Sequence, residues 1–156
     1  MTVEEKVKKI VEQMGVTYLF ENWQAANVRL DKMQFPAVMY VLPASGNLNV
    51  GSMQMKDFPN CMIAFMDKIK HDSSGEENDQ VIERCKSLAR EFILNVNRSR
   101  MFEPVQGDIP YSVFYDKLDV NVTGIVIQLL LKETRGFVMC PTKTVKEIVY
   151  GTSDEG

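Results

Sequence analysis

Histidine is almost absent from this 156-residue chain, in which His71 is the only one. Any triad or metal site built on imidazole must use that residue. Cysteine is scarce and odd in number, and Cys61, Cys85 and Cys140 lie too far apart for a zinc knuckle or a redox dithiol. They read as reduced, mostly buried thiols of a cytosolic protein. Neither sign of charge dominates: 18 basic side chains oppose 21 acidic ones, for a net charge of −3. The basic excess that nucleic acid requires is missing, so no such partner is expected. Long apolar runs are missing too, since the longest, Ile125–Leu131, is interrupted by Gln128 and is too short to span a bilayer. Met1–Ile10 lacks the apolar core of a signal peptide. The expectation is a protein made and kept inside a cell, with no membrane partner. Also absent are a Gly-rich phosphate loop before a helix, a Gly-x-Ser-x-Gly elbow and a His-Glu-x-x-His pair.

What is present has the balance of a globular protein, with 45% hydrophobic and 25% charged residues. The length suits one domain with a core of its own. The organisation expected is a single α+β domain over residues 1–133 and a partly flexible C-terminal extension over 134–156. Ten methionines are many for this length, and Met33, Met39, Met53, Met55, Met62 and Met66 crowd the first half. Methionine fills irregular core gaps and also lines adaptable interaction surfaces, so both readings stand.

Thr2 and Glu5 have the spacing of a capping box. Val3, Val7, Ile10, Val11 and Met14 follow at helical spacing, with Gly15 placed to end the helix. Tyr18–Phe20 reads as extended, and Asn22–Leu30 as either a short helix or irregular chain. Phe35–Leu42 predicts a strand, Pro43–Asn47 a turn, and Leu48–Met55 either a poor strand or a flap-like hairpin arm. Asp57-Phe-Pro59 is expected to break that arm. Asn60–Met66 alternates with both faces apolar, as in a central strand covered on both sides.

His71–Asp79 predicts a polar loop. The long helix after it is the clearest element, with Val81, Ile82, Cys85, Leu88, Ala89, Phe92, Ile93 and Val96 recurring at offsets of three and four. Burying each large member of that stripe is worth roughly 1.5–3 kcal/mol, so the helix is expected to lie on the sheet. Met101–Val105 is a candidate short strand. Tyr111–Tyr115 and Val120–Leu131 predict a terminal hairpin, with Gly124 marking a bulge or a close backbone approach. A weaker segment follows at Val145–Tyr150. The fold class expected is a mixed, mainly antiparallel sheet carrying an N-terminal helix and one long amphipathic helix.

His71, Asp72, Asp67, Glu76, Glu77 and Asp79 form the one polar cluster with chemical potential. Their spacing does not match a calcium loop, and a solvated segment capping the next helix explains the same residues. Asp108, Asp116 and Asp119 read as turn residues. Asn97-Arg-Ser99 and Asn121-Val-Thr123 match the glycosylation sequon, by chance where no secretory signal is present. No catalytic, cofactor-binding or metal-binding residues are assigned, and no enzyme is expected.

The order of helix, strand opening on Gln34-Phe35-Pro36-Ala37-Val38, second strand, long helix and terminal antiparallel strands resembles the tail terminator proteins of long-tailed bacteriophages and their prophages. The likeness spans roughly residues 2–132 by order of elements and the Phe-Pro segment by identity. The insert at Leu48–Phe58 and the tail beyond Thr134 depart from it. The resemblance implies a structural, non-catalytic role. The family forms a hexameric ring that caps the last layer of the tail tube, stops its polymerisation and offers a surface to the head connector. The partners implied are the chain itself, the tube protein and the connector, in the host cytoplasm during assembly and then in the virion tail. A sister role at the head–tail junction or in the minor tail is adjacent to this. The interface candidates are Leu48, Met53, Met55, Phe58, His71, Asp72 and Phe137. The alternative is a cytosolic α+β ligand- or protein-binding regulatory module.

Overall fold

A computed structural model describes residues 1–29, 32–69, 75–117 and 121–138. Helix α1 (Val3–Gln13) begins on the expected capping box: Thr2 accepts from the Glu5 amide while the Glu5 carboxylate accepts from the Thr2 amide. It ends at Gly15, whose φ of 74° needs no Cβ to be accommodated. Strand β1 (Thr17–Glu21) follows, and then Asn22 caps the Ala25 amide at 2.8 Å to open helix α2 (Trp23–Arg29). The ambiguous 22–30 segment is thus helical over Trp23–Arg29, with Ala26 buried and Trp23 edge-on to Phe114.

Strand β2 (Ala37–Val41), β3 (Ser45–Val50) and β4 (Gln54–Lys68) come next. β2 and β3 lie end to end along one edge of β4, both antiparallel to it. The expected break at Asp57-Phe-Pro59 does not occur: β4 runs through it for 15 residues. The Pro59 carbonyl still accepts from the Leu131 amide at 3.0 Å. The missing proline N–H falls on that same side, where the neighbouring strand β6 (Val122–Leu130) has just ended.

Helix α3 (Gly75–Ser99) starts earlier than the polar composition suggests, so 75–79 is helix and not loop. Glu76 and Glu77 occupy its first turn, where acids suit the helix dipole. Asn78 is buried and accepts from the Thr123 hydroxyl at 3.3 Å. The apolar stripe from Val81 to Val96 faces the sheet as expected, with Phe92 edge-on to Phe65. After the helix, Met101–Val105 is not a strand. It makes one isolated bridge, Phe102 to Glu133, and is pinned by Asn97, whose side chain bonds the Val105 backbone twice.

β5 (Tyr111–Lys117) and β6 form the expected hairpin, and β7 (Phe137–Val138) closes the described chain against the start of β4. The first five residues of the expected extension, 134–138, therefore belong to the fold; the rest of it, with Cys140 and Val145–Tyr150, lies outside the described residues. The sheet runs β1-β2-β4-β6-β5, parallel only between β1 and β2. Helices α1 and α3 bury Cys61, Ile63, Phe65, Ile125 and Ile127 on one face, while α2 covers Met39, Ala64 and Met66 on the other. The double cover stops short of Met62, which is 40% exposed against expectation. This is an α+β fold with a mixed, mainly antiparallel sheet and one long helix packed on it.

Gly124 resolves as a close approach, since a Cβ there would run into the Phe65 carbonyl. Nothing in a two-sided core can yield to it. Gly124→Ala is expected to lower unfolding free energy by about 1–3 kcal/mol in urea denaturation, and an unchanged midpoint would refute this packing.

Candidate interface: the distal hairpin and its anchor

β4 has two halves with different surroundings. Residues 61–66 sit in the core, whereas 54–60 project beyond it between β3 and β7. The distal half is held to the body by an ionic anchor. Where β6 ends, the Glu133 side chain replaces a missing backbone rung: its Oε1 accepts from the Asp57 amide at 2.8 Å. Its Oε2 meets the Lys6 ammonium of α1 at 2.5 Å, and both side chains are buried. Lys6 also donates to the Arg135 carbonyl and lies over the Phe102 ring. One ion pair thus joins α1, the segment after β6 and the base of the hairpin. The Asp57 carboxyl is pushed up from its usual pKa, first by burial and then by the nearby Glu133, with Lys6 opposing. Gly136 lets β7 lie against β4, because any Cβ there would collide with the Met55 carbonyl.

Beyond the anchor the surface turns apolar and open. Every residue of β3 is exposed, with Leu48 at 62% and Val50 at 67%. Met53 in the tip is equally bare, and Met55 stands opposite Phe137, both half-buried. Phe58 is half-buried beneath the Lys132 ammonium. Leu48, Met53, Met55 and Phe58 therefore lie on the projecting hairpin and Phe137 on the adjoining β7, with Phe58 on the opposite sheet face from Leu48 and Met55. His71 and Asp72 lie outside the described residues. The methionines divide by location: Met39 and Met66 fill the core, while Met53 and Met62 are exposed.

The far edge of the sheet carries a second apolar strip that the sequence reading passed over. Tyr111, Val113 and Tyr115 of β5 are all exposed, and their Tyr-x-Val-x-Tyr alternation was the available signal. Lys6 and Glu133, 127 positions apart, carried no local signal of pairing.

Both described cysteines, Cys61 and Cys85, are free and buried. Burial pushes the Cys61 thiol up to about 11 and Cys85 to about 12, keeping both protonated. Cys61 donates to the Tyr40 hydroxyl, at 3.3 Å. Among the described residues no three His, Cys, Asp or Glu side chains gather as a metal-ligand set. No described helix is long and apolar enough to cross a membrane. A cleft of about 490 Å³ lies beside the anchor, lined by Lys6, Arg100, Glu133, Arg135 and Phe137.

Comparison of the chain with protein families, with curated proteins and with solved structures finds no match.

Removing one partner of a buried ion pair strands the other. Lys6→Met should cost about 3–5 kcal/mol in denaturant unfolding, and the double variant Lys6→Met/Glu133→Gln, which keeps an acceptor for the Asp57 amide, should recover much of it. A Lys6→Met loss below about 1 kcal/mol would show that the pair is solvated and anchors nothing.

Proposed function

We propose that this chain is a structural tail-assembly protein of a long-tailed bacteriophage or prophage, acting as a tail terminator. It closes into a ring on the last layer of the tail tube, stops further growth and presents a surface to the head connector. The observation that carries this reading is the distal half of β4. The chain builds an anchored projection beyond its own core and covers it with exposed Leu48, Val50 and Met53. An isolated domain gains nothing from such a surface, whereas an assembling one uses it to meet neighbours. A ring further requires two unlike patches on each copy. The open edges at β3 and β5 fall on opposite sides of the sheet and differ in sequence. The order of elements, with the Phe35-Pro36-Ala37-Val38 entry into β2, gives the family likeness its support. The role is non-catalytic, exercised in the host cytoplasm during assembly and afterwards in the virion tail.

A specific observation favours a second reading, a regulatory module. The cleft beside Lys6 has the volume of a small-molecule site. Of its charged lining, Lys6 and Glu133 already satisfy one another, while Arg100 and Arg135 also face the cleft. A ligand of Lys6 or Glu133 would have to compete with their pairing.

Quantitative mass spectrometry of particles induced from the source strain separates the two. The terminator reading expects the chain in finished particles at one ring of copies per tail, far below the tube protein. Its absence from finished particles would overturn that reading and leave the ligand-binding module.

A further inference from the structure

We infer that copies of this chain join head to tail by pairing the outer edge of β3 with the outer edge of β5 of the next copy, continuing one sheet across the contact. This rests on the assembly reading for the closed ring; the pairing itself is a property of the free chain.

The faces match. Leu48 and Val50 stand opposite Asp57 and Met55, and so share the β4 face that bears Cys61, Ile63 and Phe65 toward α1 and α3. Tyr111 and Val113 stand opposite Ile127 and Ile125, on that same helix-bearing face. When two sheets join edge to edge with their helices on one side, Leu48 and Val50 fall directly beside Tyr111 and Val113. Apolar and aromatic cross-strand pairs of this kind stabilise a sheet. Neither strip has enough neighbours within its own copy to be buried: the four side chains are 37% to 67% exposed.

A place for the incoming strand exists. β1 occupies the position beside β2 and ends at Glu21, because Asn22 turns the chain into α2. Beyond that point no described strand lies beside β3. Proteins ordinarily blunt free edges with lysine, proline or other charge. Among the described residues, β3 carries no such guard, and β5 carries one only at its end. β3 reads Ser-Gly-Asn-Leu-Asn-Val, without a charge, and β5 reads Tyr-Ser-Val-Phe-Tyr before it ends on Asp116 and Lys117. Over residues 45–50 and 111–115 the strands themselves are neutral, and the Lys86 ammonium, which lies over the Tyr111 ring, is a charge that the contact must keep solvated. A contact made by one pair of strands this short is small beside the roughly 1,200–2,000 Å² of specific, stable interfaces. A contact that small suits reversible pairing made strong by ring closure.

Cysteine cross-linking tests the pairing, because cross-strand Cα separations match disulfide geometry. In the full chain carrying Cys140→Ser, single variants Leu48→Cys, Tyr111→Cys and Val113→Cys are made and oxidised at millimolar concentration. Mixing Leu48→Cys with Val113→Cys or Tyr111→Cys should give cross-linked dimers. The corresponding double variants should give a ladder ending in one closed species. Separately, Leu48→Lys/Val50→Lys should weaken self-association at least about tenfold, with Leu94→Lys on the exposed face of α3 as an unaffected control. Cross-links in Leu48→Cys alone would mean a two-fold β3–β3 contact and would overturn the proposal. Rings that form without β3–β5 cross-links would overturn it while leaving the terminator reading intact. A chain that stays monomeric at millimolar concentration would also overturn it, and the particle stoichiometry would still decide the capping role.

Discussion

A strand can remain extended through Asp57-Phe58-Pro59 only if its neighbours supply what proline and a vanishing ladder take away, and here they do so on both edges. β3 pairs with every residue from Met55 to Asn60 on one side. On the other, β6 ends at Leu130, the Glu133 carboxylate takes the Asp57 amide, and β7 resumes at Met55. Lys6 neutralises the carboxylate that fills this gap. The unbroken course of β4 fixes the position of everything else: α1 is tied to its distal half, α3 and α2 cover its proximal half, and the hairpin extends from its start.

The same strand divides into a buried half and an exposed projection. Its proximal residues Ile63 to Met66 are fully buried between two helical layers and hold the fold. Its distal residues carry a hairpin whose exposed leucine, valine and methionine contribute little to the isolated chain. Methionine serves both regions, as gap-filler at Met39 and Met66 and as adaptable surface at Met53. The anchor gives the projection a defined direction at the cost of burying two charges. A fixed direction is what a repeated contact in a closed ring demands.

Much of this was legible in the sequence because it depends on short-range pattern. The capping box of α1, the stripe of α3 and the β5–β6 hairpin follow from spacing within a few residues, whereas Gly124 was marked as a bulge or a close approach and the approach is to Phe65 on another strand. The misreadings share a cause. Pro59 looked like a breaker because its partner edge, ending at Leu130, is some seventy positions away. Residues 75–79 looked like loop because Asn78 is polar, yet it is buried against Thr123 across the sheet. Met62 looked covered because alternation gives the faces of a strand but not the extent of the helix above it. The interface candidates Leu48, Met53, Met55, Phe58 and Phe137 were named for their lack of core periodicity. The anchor and the β5 strip needed the tertiary arrangement, since both are defined by which sheet edge they occupy.

Residue-resolved hydrogen exchange on the full chain, followed from micromolar to millimolar concentration, addresses the division of β4 into a core half and an assembly half. The account predicts that amides of residues 61–66 are protected throughout, while those of β3 and β5 slow together as concentration rises. Rates in β3 and β5 that stay fixed across that range would contradict it, as would protection appearing on any other surface instead.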